Sequence, residues 1–147
     1  GRIRVAEKWS AKLGGCPLAF VHKTRDTTRP NVAVANRVVG DVAGKQCVMV
    51  DDMIDTAGTI SEAVKVVMNA GAASVVVAAT HGILSDPAAQ RLSECGAQEV
   101  IVTDTLPIAL EKRFDKLTIL PIAPLLARAI REVFDDGSVT SLFDGVA

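Results

Sequence analysis

Five short apolar runs, at residues 17–22, 47–51, 74–80, 99–103 and 117–122, do most to limit what this chain can fold into. Within them Val48, Met49 and Val50, and later Val75, Val76, Val77, Ala78 and Ala79, are continuous rather than alternating. A strand with one wet face alternates apolar and polar residues, whereas a strand covered on both faces has no reason to. Segments of helical composition lie between the runs, at residues 4–13, 59–70, 87–94 and 124–134. The alternation predicts an α/β fold, a mostly parallel sheet flanked by helices.

The helical segments carry their own packing signals. Ile60, Ala63, Val64, Val67 and Met68 recur at helical spacing, and Asn69-Ala70-Gly71 offers a glycine cap. In the last helix Ala127, Ala129, Ile130 and Val133 are expected to pack inward, leaving Arg128 and Arg131 solvated. Trp9, the single tryptophan, reads as a core or interface residue, since it has no aromatic neighbours for base stacking. Residues 23–35 break the pattern, being polar with Pro30 and no sustained period; they read as a long loop or mobile hairpin after the first strand, and long loops are often functional.

A length of 147 residues suits one domain able to bury a core without a disulfide or metal staple. With 49% hydrophobic and 22% charged residues the chain is too apolar for disorder and too interrupted by charge for a membrane span. A net charge of −1 provides no general field to attract a nucleic acid polymer. Cys16, Cys47 and Cys95 stand apart and read as small buried hydrophobes in a reduced, cytoplasmic protein. His22 and His81 lack a third ligand at metal-site spacing, so no metal site is expected within this chain. The start, Gly1-Arg2-Ile3-Arg4, has neither an initiator methionine nor targeting character, and reads as that of a fragment.

The segment richest in chemistry is Asp51-Asp52, then Asp55-Thr56-Ala57-Gly58-Thr59, lying between an apolar strand and an amphipathic helix. The carboxyl end of a parallel strand faces the crevice where α/β proteins bind ligands, and the following helix offers unpaired N–H groups with positive dipole character. A phosphate suits that position. Gly58 permits close backbone approach, and Thr56 and Thr59 add hydroxyls that can also cap the helix. Carboxylates beside a phosphate need hydroxyl groups or a cation to address, and a sugar phosphate supplies hydroxyls at its other end. Asp51, ranked ahead of Asp52, would accept from vicinal hydroxyls; both reach one sugar only if the chain turns there. The ordinary alternative is that these aspartates merely serve a loop and a helix cap.

The run V-D-D-M-I-D-T-A-G-T resembles the ribose-phosphate signature of type I phosphoribosyltransferase folds, in the form found in ribose-phosphate pyrophosphokinases (PRPP synthetases). His22-Lys23-Thr24-Arg25 resembles the start of that family's flexible catalytic loop, and Val39-Gly40-Asp41-Val42 the segment before the signature strand. Residues 79–85 (A-T-H-G-I-L-S), 102–107 (V-T-D-T-L-P) and 138–143 (S-V-T-S-L-F) also match, so the likeness spans nearly the whole chain. It implies residues 1–147 as a C-terminal phosphoribosyltransferase-like domain, with a catalytic loop at 23–35 and a tail at 135–147. The implied reaction moves pyrophosphate from Mg-ATP to the anomeric oxygen of ribose 5-phosphate, giving PRPP and AMP.

By the same resemblance Lys23 is the catalytic lysine, and Arg25 is catalytic and contacts ribose 5-phosphate or ATP. Asp51, Asp52, Asp55, Thr56, Ala57, Gly58 and Thr59 bind ribose 5-phosphate. Ser138, Thr140 and Phe143 match a tail that serves a regulatory site between subunits of a homo-oligomer. The family's ATP-binding half, with most Mg²⁺ ligands, lies outside this sequence, so the fragment alone is expected to be inactive. Two other readings remain: a phosphoribosyltransferase that consumes PRPP, and a catalytically silent regulatory subunit of the synthetase.

Overall fold

The computed structural model describes residues 3–23 and 36–143. Helix α1 (Ile3–Lys12) leads into strands β1 (Phe20–Lys23) and β2 (Asn36–Val39). Four strand units follow: β3 (Gln46–Ile54), β4 (Ser74–Gly82), β5 (Glu99–Thr103) and β6 (Leu117–Leu120). Helix α2 (Gly58–Asn69) joins β3 to β4, α3 (Ala88–Glu94) joins β4 to β5, and α4 (Ala123–Phe134) follows β6. Single 3-10 turns occupy Leu110–Lys112 and Val139–Phe143.

The expected parallel sheet is present, in the order β3-β4-β5-β6 with every pairing parallel. Its register aligns Met49 with Val77, Val77 with Val100, and Val100 with Leu117. Side chains alternate across a sheet, so Val75, Val77, Ala79, Val100 and Val102 share one face. All five are buried, in one cluster with Val64 and Val67 of α2 and Ala88 and Leu92 of α3. The opposite face carries Val48 and Leu120, each about half exposed at 49% and 48%.

Several expectations change. The run at 17–22 does form a strand, β1, but it pairs antiparallel with β2, from Phe20↔Val39 to Lys23↔Asn36, and stays outside the parallel sheet. The sequence reading has no counterpart for β2, whose four residues Asn-Arg-Val-Val hold too few apolar positions to establish a period. β3 runs on to Ile54 rather than stopping at Asp51, because Met53 and Ile54 still pair with His81 and Gly82 of β4. The inward-packing role given to α4 is corrected: Ile130 and Val133 are 65% and 66% exposed. Cys16 is exposed, Cys47 half-buried with its thiol pKa pushed up by burial, and Cys95 buried, so only Cys95 is the fully buried hydrophobe expected of all three. Trp9 is exposed, and among the described residues no helix is long and apolar enough to cross a membrane.

The glycine cap of α2 is as expected. Gly71, at φ +92, donates to Met68 O at 3.0 Å and Ala72 to Val67 O at 3.3 Å, the paired bonds of a Schellman ending. Gly40 is bound more tightly by its surroundings. At φ +116 it sits where an added Cβ would lie 2.9 Å from Ala19 Cβ and 3.0 Å from Ala19 Cα. Gly40→Ala therefore meets both a positive φ and a backbone clash, and should lower stability by about 1–3 kcal/mol, read as an earlier urea midpoint.

Candidate anion cradle at the end of strand β3

The carboxyl end of β3 passes directly into the amino end of α2. Ile54, buried, anchors the junction: its carbonyl accepts from Ile83 N at 3.0 Å and Leu84 N at 3.1 Å, tying the loop after β4 to this end of β3. Leu84 is itself buried, at φ +50, a conformation that its packing and this bond hold in place. Asp55, Thr56 and Thr59 are exposed, Gly58 is half-buried and Ala57 is buried. The cradle thus has a packed floor and an open mouth, and Asp51, Thr56, Gly58 and Thr59 line an open cleft of about 1690 Å³.

The amino end of α2 is not closed by its own side chains. Ala57 is the N-cap, with no side-chain hydrogen bond, and the first intrahelical bond runs from Ser61 N to Ala57 O at 3.0 Å. The expected capping by Thr56 or Thr59 is therefore not formed. The reason is local: Ala57 adopts φ 58, ψ 7, the left-handed region, instead of the extended backbone from which a capping side chain folds back. Gly58, Thr59 and Ile60 lead the helix, and the N–H groups at such positions have no intrahelical acceptor. Such groups, together with the helix dipole, favour an anion at a helix start.

The carboxylates divide around it. β3 does not turn between Asp51 and Asp52, so their side chains leave opposite faces of the sheet. Asp51 Oδ1 accepts from Asp52 N at 2.9 Å. Asp55 lies beyond the strand, at the entrance to the loop. Among the described residues no group of three or more His, Cys, Asp or Glu is gathered that could hold a metal ion.

The other anticipated residues lie elsewhere. Lys23 ends β1; its side chain and the whole of Arg25, with the rest of the loop to residue 35, lie outside the described residues. Ser138 lies just before the 3-10 stretch and Thr140 within it, their hydroxyl oxygens 2.5 Å apart, while the Phe143 side chain lies outside the described residues. His22 is exposed on β1. His81, at the end of β4 beside Met53, places Nδ1 2.9 Å from Thr105 Oγ1, so it is a hydrogen-bonded strand-end residue.

One residue at the cradle gave no signal in the sequence. Arg91, in the last turn of α3, donates from Nη1 to Thr56 O at 2.9 Å. Its Nη1 would also stand 3.4 Å from a Cβ at Gly58. Thirty-five positions separate Arg91 from Thr56, and a basic residue at a helix C-terminus ordinarily reads as a dipole partner facing water. The left-handed conformation costs an alanine about 1–2 kcal/mol, and a hydrogen bond from a charged donor contributes about 1.5–3 kcal/mol, toward the lower figure for a solvated arginine. The two are of similar size.

Fold and site together define an α/β domain with a candidate anion site between a parallel strand and the helix that follows it. A family profile described as a phosphoribosyl synthetase-associated domain matches residues 20–144, and the chain belongs to that family. It is 72% identical over 144 residues to a ribose-phosphate pyrophosphokinase of Bifidobacterium longum, covering 98% of this chain and 42% of the relative. It is 67% identical over 147 residues to the enzyme of that name from Mycobacterium tuberculosis H37Rv, covering 100% of this chain and 45% of the relative. Among solved structures, phosphoribosylpyrophosphate synthetase from Mycobacterium smegmatis superposes with a TM-score of 0.83 at 62% identity, over 92% of this chain and 43% of that one. The chain thus spans less than half the length of these relatives.

Proposed function

We propose that this chain is the acceptor-holding, C-terminal half of a ribose-phosphate pyrophosphokinase, with a type I phosphoribosyltransferase-like fold. The observation that carries the reading is the uncapped amino end of α2, opening on a cleft and preceded by Asp51, Asp52 and Asp55. In this reading the N–H groups and hydroxyls of residues 55–59 grip the 5-phosphate of ribose 5-phosphate. Asp51 accepts hydrogen bonds from the ribose hydroxyls, whereas Asp52, leaving the opposite face of an unturned strand, does not reach the same sugar. The names of the relatives support a ribose phosphate as the group that accepts pyrophosphate, and ATP is proposed as its donor.

The reaction joins the anomeric oxygen to the β-phosphorus of ATP; the bond from that phosphorus to the oxygen bridging the α-phosphate breaks, AMP departs, and the anomeric hydroxyl loses its proton. Such transfer depends mainly on positioning and charge stabilisation. Lys23 and Arg25, in the catalytic segment proposed at residues 23–35, offset charge on the oxygens of the transferring group. The exposed carboxylates at the end of β3 are hard oxygen donors of the kind Mg²⁺ takes, one or two at a time beside substrate phosphates, and the ion when bound neutralises phosphate charge. The remaining Mg²⁺ ligands and the ATP site belong to the other half. Ser138, Thr140 and Phe143, in the tail at 135–147, serve a regulatory site in a cytoplasmic homo-oligomer.

The test is an AMP-release assay with ATP, ribose 5-phosphate and Mg²⁺. This chain alone should release no AMP, whereas the complete enzyme should turn over and lose turnover with Lys23→Ala. Normal turnover by the isolated chain would overturn the half-enzyme reading. Turnover of PRPP plus a base, without any from ATP plus ribose 5-phosphate, would favour a PRPP-consuming transferase; a complete chain silent in both assays would favour a regulatory subunit.

A further inference from the structure

We infer that Arg91 is a positioning residue that sets the orientation of the Thr56–Ala57 peptide and so switches the cradle into its anion-binding form; this rests on the phosphate-holding role proposed for the cradle. A trans peptide points its C=O and N–H in opposite directions. With the Thr56 carbonyl drawn to Arg91 Nη1 at 2.9 Å, the Ala57 N–H is turned away from α3. The left-handed Ala57, at φ 58, is the backbone cost of that orientation. Alternation of right- and left-handed residues at a helix start makes successive N–H groups converge on one point, which is how backbone binds anions.

Without Arg91 the balance reverses. Rotation of this peptide by about half a turn returns Ala57 to negative φ, the region an alanine prefers, and directs a carbonyl oxygen where an N–H had pointed. A carbonyl aimed at a phosphate repels it. Arg91 thus acts from a different helix, through one main-chain oxygen, on the first donor of the cradle. The buried Leu92 and Ala88 of α3 fix the helix that presents it.

The position of the left-handed residue makes the inference testable by rescue. Glycine adopts positive φ at no steric cost, so Ala57→Gly removes the force that drives the flip. Calorimetric titration of this chain with ribose 5-phosphate, and separately with inorganic phosphate, should show Arg91→Ala weakening both by about tenfold, equivalent to about 1.4 kcal/mol. Arg91→Lys, which retains one charged donor, should lose less. The double variant Arg91→Ala with Ala57→Gly should recover to within about threefold of wild type. Amide spectra of the ligand-free chain should show the Ala57 resonance displaced in Arg91→Ala and returned toward its wild-type position in the double variant.

Unchanged phosphate binding in Arg91→Ala, or a double variant as weak as Arg91→Ala, would overturn the inference; the second outcome would make Arg91 a direct phosphate contact. An Ala57 amide unmoved by Arg91→Ala would overturn it independently of any ligand. If wild type binds neither ribose 5-phosphate nor inorganic phosphate, the proposed function fails, and the amide spectra still decide whether Arg91 orients this peptide.

Discussion

Thr59→Asp is expected to weaken ribose 5-phosphate binding by about a hundredfold while leaving the fold as stable as wild type. Thr59 is exposed and second in α2, so a carboxylate there enters an uncapped helix start, where negative charge stabilises a helix by about 0.3–1 kcal/mol. The same charge would stand roughly 5–6 Å from a phosphate held by these N–H groups. At an effective dielectric near 20 that repulsion is about 3 kcal/mol, or about two orders of magnitude in affinity. Helix stability and anion affinity thus move in opposite directions, which separates this effect from misfolding. Calorimetry with ribose 5-phosphate and thermal unfolding of the same sample read both, and Thr59→Val, which removes only the hydroxyl, should lose far less. Retained affinity in the aspartate variant would mean that the phosphate binds elsewhere.

The largest effect on stability should come from Leu92→Ala. Leu92 is fully buried beneath α3, in the cluster that joins α2 and α3 to Val75, Val77, Val100 and Val102 of the sheet. Removing three buried carbons from such a site costs about 2–5 kcal/mol, the spread reflecting how far the neighbours relax. About 3 kcal/mol in a chain of this size lowers the melting temperature by roughly 10 °C. Leu92 follows Arg91 on the same short helix, so the variant should also weaken the hold on the cradle carbonyl. Calorimetric unfolding measures the first effect; a shift of under 2 °C or so would contradict the packing described.

Much of this architecture is visible in the order of residues because it depends on periods. The uninterrupted Val48–Val50 and Val75–Ala79 runs identify neighbouring strands of a parallel sheet, paired in the register Val48↔Val76 and Val50↔Ala78, but the cover that continuity predicts on both faces is met on one: Val75, Val77 and Ala79 are buried while Val48 is 49% exposed. The cap at Gly71 is legible because φ +92 suits glycine far better than any other residue. By contrast, the end of β3 was hidden. Asp52, Met53 and Ile54 lie past the apolar run at 47–51, yet the partner strand supplies ladder bonds as far as Gly82 and keeps them extended.

The site was legible as a location and not as a geometry. Three aspartates, two threonines and a glycine between a strand and a helix mark the place, but the left-handed residue is Ala57, the one member of Thr56-Ala57-Gly58 that no turn rule selects. Nor could spacing reveal Arg91, since its partner is a main-chain carbonyl on another element and leaves no side-chain signature. The outward apolar face of α4, with Ile130, Val133 and Phe134 exposed, shows the converse: a strong helical period identifies a face without saying what covers it.

The claim that this cradle holds the 5-phosphate of a sugar is tested most directly by phosphorus NMR. Added to ribose 5-phosphate, the folded chain should shift and broaden the phosphate resonance in a saturable way, with unphosphorylated ribose failing to compete and Thr59→Asp abolishing the change. A resonance that stays in place and sharp in the presence of the folded wild-type chain would contradict the account.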